Sequence, residues 1–137
     1  ETIMDRAADV LQMASEQIDS VSRSVFQARV DPGTRNAEYQ ATLQALGHWG
    51  DLISKQQESL VSIERTMLFL TASLRATKGS KEVREQMRTT LRDLQSLEEH
   101  ASFQANKIQF LLDATLGLVN LEQNSIIKLF SVMAVVF

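Results

Sequence analysis

The sequence predicts an all-α protein, with three long antiparallel helices forming a coiled-coil-like bundle: a helical hairpin plus a long stalk helix. Three observations carry this. Only one Pro and five Gly stand among 137 residues, so the chain has few places to turn. Apolar residues alternate at spacings of three and four over long stretches, as in helices that pack along a seam. Only two short breaker clusters, Asp31-Pro32-Gly33 and Lys78-Gly79-Ser80, interrupt that rhythm.

The first stripe runs Met4, Ala7, Leu11, Ala14, Ile18, Val21, Val25 and Ala28. It predicts a helix over about residues 1–30, stopped where Pro32 lacks an N–H donor and Gly33 tolerates a reversal. Thr34 or Asn36 is placed to cap the next helix. The second helix, over about 36–77, carries Leu46, Trp49, Ile53, Leu60, Ile63, Met67, Leu70 and Leu74, and only Gln56 breaks the stripe. Gly47 and Gly50 lie inside it at some loss of helix stability, which suggests close approach of a neighbour. These two helices form a hairpin domain, residues 1–78. At its end Lys78 reads as a C-terminal cation, Gly79 as the stop and Ser80 as a new N-cap.

The third helix starts near Lys81 and meets no breaker before Phe137. Its seam runs through Val83, Met87, Leu94, Leu97, Ala101, Ile108 and Leu111 or Leu112. At 1.5 Å per residue it is about 80 Å long, a rod or stalk rather than part of a small globule. The stalk occupies 79–125, and 126–137 forms a distinct end. The sequence begins and ends in mid-pattern, which reads as a segment of a longer chain.

Composition narrows the function. A net charge of -3 argues against nucleic acid as a partner, which calls for a basic patch. The absence of Cys excludes disulfides and thiolate metal sites. No nucleophile–His–carboxylate arrangement and no Gly-rich phosphate loop is present, so the chain does not read as an enzyme, and no organic cofactor is expected. His48 beside Trp49 reads as a packing or surface residue, and His100 after Glu98-Glu99 as part of an exposed charge cluster. Neither stands at zinc-ligand spacing.

The C-terminal end is the informative part. Ile126 to Phe137 carries one charge, Lys128, and is apolar on nearly every side. Its length of 12 residues falls short of the roughly 20 that a membrane span needs. It is either a buried core helix or the beginning of a span, and the lack of other apolar surface to surround it favours the second. Upstream, Asp113, Asn120, Asn124 and Ser131 fall within roughly 40° of one another on a helix, with Gly117 and Ile127 on the same narrow face. Such a stripe is either a soluble surface or, on a helix entering a membrane, a face turned to water, a polar partner or an ion path. A ring of carboxylates and amide oxygens around an axis shared by several copies concentrates and selects cations.

The stretch Leu121-Glu122-Gln123-Asn124-Ser125-Ile126-Ile127-Lys128-Leu129-Phe130-Ser131-Val132 closely resembles the approach to the first transmembrane helix of CorA-type transporters. Leu91-Arg92-Asp93-Leu94 and Phe110-Leu111-Leu112-Asp113-Ala114-Thr115-Leu116-Gly117 fit the same family at the right spacing. The first two helices fit its helical hairpin in length and order. The family's Gly-Met-Asn signature falls beyond Phe137, as do the rest of its membrane helices, and its N-terminal α/β domain precedes this stretch.

The resemblance implies a homo-oligomer, a pentamer in the full-length protein, set in the inner (plasma) membrane with this segment largely cytoplasmic. It implies transport of Mg2+, with Co2+ and Ni2+ as further ions, gated by intracellular divalent ions. Asn124 then matches the pore Asn near the cytoplasmic mouth, and Asp113 an acidic ring above it. Gly117, Asn120 and Ser131 line the same path. Ile127 and Phe130 match a hydrophobic gate, and Lys128 a basic collar outside the pore. Asp93 is the candidate for a regulatory metal ligand, its partner lying outside this chain. The hairpin tip departs from the family's acidic pattern, because Arg29, Asp31 and Arg35 nearly balance. Two alternatives remain open at this level: the zinc-transporting branch of the same superfamily, and a structural or signalling coiled coil without transport.

Overall fold

The computed structural model describes residues 2–27, 35–78 and 80–136, apart from the side chains of 27, 35, 125–127, 129 and 136. It contains three α-helices: α1, Thr2–Gln27; α2, Arg35–Ala76; and α3, Lys81–Val136. The expected stop at Asp31-Pro32-Gly33, and Thr34 and Ala28, lie outside the described residues. Asn36 is already inside α2, so it does not cap that helix.

Cross-helix contacts fix the topology. Gly50 of α2 lies against Ile108 of α3, and Gln57 bonds Ser102, so α2 and α3 run antiparallel. Leu11 meets Gln104, Asp19 meets Lys107 and Phe26 meets Phe110, so α1 and α3 run parallel. The result is an up-down-up bundle in which each helix touches both others.

The heptad stripes become the core. Ala7, Leu11, Ala14, Ile18 and Val25 of α1 are buried against Leu46, Ile53 and Leu60 of α2 and Leu94, Ala101, Ile108 and Leu111 of α3. Burial of these side chains is the main source of stability, at about 1.5–3 kcal/mol for each large one. Polar residues interrupt the core at the buried Gln104 and Thr115 and at the half-buried Gln56, and each glutamine donates its amide to a carbonyl of α1. Gln56 Nε2 donates to Ala7 O at 3.2 Å, and Gln104 Nε2 to Leu11 O at 2.7 Å.

The seam is not enclosed along its whole length. Leu70 and Val83, expected in the core, are 44% and 42% exposed. The described part of α1 reaches to about Ile63 of α2, and alongside Leu70 and Val83 only two helices are described, which do not surround a seam. At the other end no described residue beyond Thr115 is buried, and α3 continues as one helix to Val136.

The α2–α3 turn holds a left-handed residue that the sequence reading did not place: Lys78, with φ at 52°. Gly79 itself lies outside the described residues. Ser80 does cap α3: its Oγ accepts from the Val83 N–H at 3.3 Å, and its carbonyl accepts from Arg84 N–H at 3.3 Å. Neither Gly47 nor Gly50 is demanded by a close neighbour within this chain. A Cβ at Gly47 would meet nothing within 4 Å, and one at Gly50 would make an ordinary 3.6 Å contact with Ile108.

Candidate ion path on the stalk helix

The core face and the polar stripe of α3 lie on opposite sides of the helix. Leu94, Ala101, Gln104, Ile108, Leu111 and Thr115 are buried against α1 and α2. Asp113, Gly117, Asn120, Asn124 and Ser131 are all exposed. At about 100° per residue the stripe is centred close to half a turn from the seam. The chain's own fold therefore leaves this edge uncovered.

Local order on the stripe is modest. Gln109 Nε2 donates to Asp113 Oδ1 at 3.2 Å across one helical turn, which holds that carboxylate along the helix surface. Gly117 sits in the middle, with nothing within 4 Å of where a Cβ would stand. Thr115, on the buried side, satisfies its hydroxyl by donating to Leu111 O at 2.7 Å. Phe130 is 68% exposed and lies about 120° round a regular helix from Asn124, on an adjoining face of α3. Lys128 is exposed. The side chain of Ile127 lies outside the described ones.

Asp93 is exposed on the opposite end of α3, beside the buried Leu94. A divalent ion takes six or more oxygen ligands, and no group of three or more His, Asp or Glu residues that could hold a metal occurs among the described residues. Among the described residues no such group gathers around Asp93. His48 packs edge-on against Trp49, with ring centroids 5.6 Å apart. His100 is exposed, with its Nε2 3.1 Å from the Gln104 amide nitrogen.

Two electrostatic features went unread in the sequence. Glu98 of α3 faces a groove of about 580 Å³ lined also by Glu64 of α2, Gln95, Ser102 and Asn106. Burial, and then the neighbouring charge of Glu64, raise the Glu98 carboxyl above its ordinary value. Its Oε1 is buried without a hydrogen-bond partner. Asp19 of α1 pairs with Lys107 of α3, and the hydrogen bond and charge of Lys107 hold its carboxyl below the ordinary range. The spacing of single charges along separate helices does not reveal such pairs, because the register between helices is not written locally.

No helix among the described residues is long and apolar enough to cross a membrane. Yet Phe130, Val132, Met133 and Val135 are all exposed in succession, Val135 at 87%. A bundle of three long helices, whose third runs on past the other two with one uncovered polar edge and an exposed apolar end, defines the class: a long-helix bundle with surfaces that its own chain does not cover. The chain belongs to the family of CorA-like Mg2+ transporter proteins, which matches it over residues 1–137. It is 34% identical over 137 residues to the magnesium transport protein CorA of Yersinia pseudotuberculosis serotype I and to that of Escherichia coli strain K12. It is 32% identical over 137 residues to that of Pasteurella multocida strain Pm70. In each case all of this chain is covered, and the chain spans 41% of the length of the relative.

Proposed function

We propose that this chain is the stalk and pore-mouth segment of a divalent-cation transporter carrying Mg2+, with Co2+ and Ni2+ as further ions. Symmetry-related copies of α3, five in the whole protein, face one another across Asp113, Gly117, Asn120, Asn124 and Ser131. The observation that carries this reading is the position of the stripe, uncovered and opposite the buried seam, on a helix whose end exposes Phe130, Val132, Met133 and Val135. Membership of a magnesium-transporter family weighs against a coiled coil without transport, and relatives named for magnesium weigh against zinc.

Mg2+ sheds its water reluctantly and takes oxygen ligands. Carboxylates of Asp113 and side-chain amide oxygens of Asn120 and Asn124 accept hydrogen bonds from the waters of a hydrated ion. A ring of Asp113 carboxylates raises the local cation concentration above the narrower amide ring. Ile127 and Phe130 supply the apolar constriction that closes the path by dewetting. Lys128 lies outside the path near the inner membrane surface, the hairpin being on the cytoplasmic side.

Transport of Mg2+ by the whole protein, measured with Asp113→Ala and Asn124→Ala, tests the assignment. Reduced flux or altered selectivity between Mg2+ and Co2+ is expected for both. Wild-type flux and selectivity in both variants would remove the stripe from the ion path.

A further inference from the structure

We propose that Phe110 lines the ion path as a further apolar ring, one helical turn before Asp113, and that Phe26 of α1 holds it in place. This rests on the facing-edge arrangement proposed above and extends it to a residue outside the polar stripe.

Phe110 belongs to the uncovered edge of α3 by position. On a regular helix it stands about 160° round from the buried Ile108, and about 60°, 40° and 20° from Asp113, Asn124 and Gly117. It is 60% exposed. Phe103 continues the apolar part of this edge one heptad earlier and is 64% exposed, with no ring contact among the described residues. Phe110 does have one. Its ring stacks on that of Phe26, with centroids 6.3 Å apart and planes 29° apart. Phe26 stands in the last turn of α1 and is itself 59% exposed. The stack therefore supports Phe110 from the α1 side and leaves most of its surface open.

Copies of α3 set edge to edge turn these open surfaces toward a shared axis. A collar of phenyl rings offers no oxygen to a hydrated cation and empties of water when narrow. Mg2+ keeps its water, so such a collar resists it more than an oxygen-lined ring does. About 25 Å of helix separates Phe110 from Ile127, and Asp113, Asn120 and Asn124 lie between them. The hydrophilic stretch of the path is thus bounded by an apolar ring at each end.

The stack fixes where the collar stands. A helical Phe has few allowed χ1 states, and its neighbours choose among them. Phe26 is the aromatic neighbour of Phe110 among the described residues. It is a positioning residue: it acts through Phe110 and ties the end of α1 to the width of the path.

Two measurements on the whole protein test this. In the first, Asp113→Cys, Phe110→Cys and Lys107→Cys are introduced singly and treated with a short bis-maleimide, the unsubstituted protein serving as background. Lys107 pairs with Asp19 of α1 and marks a face turned away from the path. Cross-links between copies are expected at Asp113 and Phe110, at about threefold or more the Lys107 yield. No excess at Asp113 removes the facing edge and this proposal with it. Excess at Asp113 without excess at Phe110 overturns this proposal alone. The second measurement is Mg2+ flux in Phe110→Ala, Phe26→Ala, Phe26→Tyr and the double alanine variant. Phe26 and Phe110 are exposed, so these changes leave the core intact. Phe110→Ala should raise flux by about threefold or more, because the collar widens and wets. Phe26→Ala should raise it too, Phe26→Tyr should keep the wild-type value, and the double variant should match Phe110→Ala. Flux at or below wild type in Phe110→Ala overturns the ring. Wild-type flux in Phe26→Ala, or additive effects in the double variant, overturns the role of Phe26.

Discussion

Gln104 of α3 donates its amide to the main-chain carbonyl of Leu11 on α1 at 2.7 Å, inside an otherwise apolar core layer. The same side chain keeps its Oε1 buried without a hydrogen-bond partner. The two ends of one residue thus act in opposite directions. Leu11 O belongs to a helical ladder whatever stands at 104, whereas the orphaned Oε1 needs Gln to exist. Gln104→Leu should therefore leave stability unchanged or raise it by up to about 1 kcal/mol. Gln104→Ala, which opens a cavity as well, should lower it by about 2 kcal/mol. Urea unfolding of both variants checks this, and equal losses in the two would show that the amide bond dominates.

The Glu98 carboxyl makes the bundle respond to pH. Burial, then the charge of Glu64, raise it above the ordinary value of 4.5 in the folded chain. Folding therefore favours its protonated form. The contribution is fully present below 4.5 and is lost as pH rises through the raised folded value. Asp19 works in the other direction: held down by Lys107, it contributes above 3.8 and loses that as pH falls through its lowered folded value. Glu98→Gln should keep the low-pH stability at neutral pH and flatten the curve above 4.5. Thermal unfolding of wild type and Glu98→Gln across this range measures it. Parallel curves would mean that Glu98 is not the titrating group.

The turn between α2 and α3 holds a left-handed non-glycine residue next to a cap. Lys78, at φ 52°, is strained relative to glycine by about 1 kcal/mol. Ser80 Oγ accepts the Val83 N–H, a cap worth about 1 kcal/mol. Lys78→Gly should raise stability and Ser80→Ala lower it, each by roughly that amount. Both residues are exposed, so chemical denaturation reads the backbone effects with little change in packing.

The fold was legible because heptads are a local signal. Ala7, Leu11, Ala14 and Ile18 on α1, and Leu46, Ile53 and Leu60 on α2, can be placed in a core from spacing alone, and the structure buries them. Leu70 and Val83 show the limit: they continue the pattern but are exposed, since burial depends on whether a third helix reaches them. Gln56 was visible as a break in the rhythm, but its bond to Ala7 O was not, because it depends on inter-helix register. The Glu64–Glu98 and Asp19–Lys107 relationships were hidden for the same reason. The polar edge from Asp113 to Ser131 was readable because it lies on a single helix. Under the proposed function what faces it belongs to other copies, and no single-chain pattern encodes that.

Gly117 separates what one chain needs from what an assembly needs. Within the chain it is an exposed residue in mid-helix, and an added Cβ would meet nothing within 4 Å. Intrinsic propensity alone says that Gly117→Ala should stabilise the isolated chain by about 0.5–1 kcal/mol. Nothing in the intrachain packing opposes that change. In the whole transporter the proposed arrangement sets copies of this helix edge to edge, where a methyl group narrows the path and pushes neighbouring backbones apart. Gly117→Ala should then weaken the oligomer or slow Mg2+ uptake while the isolated chain unfolds at higher denaturant. Circular dichroism of the chain and flux through the whole protein are both needed. A variant that is more stable alone and transports normally would place Gly117 away from any neighbouring copy, and the facing-edge arrangement would have to be given up.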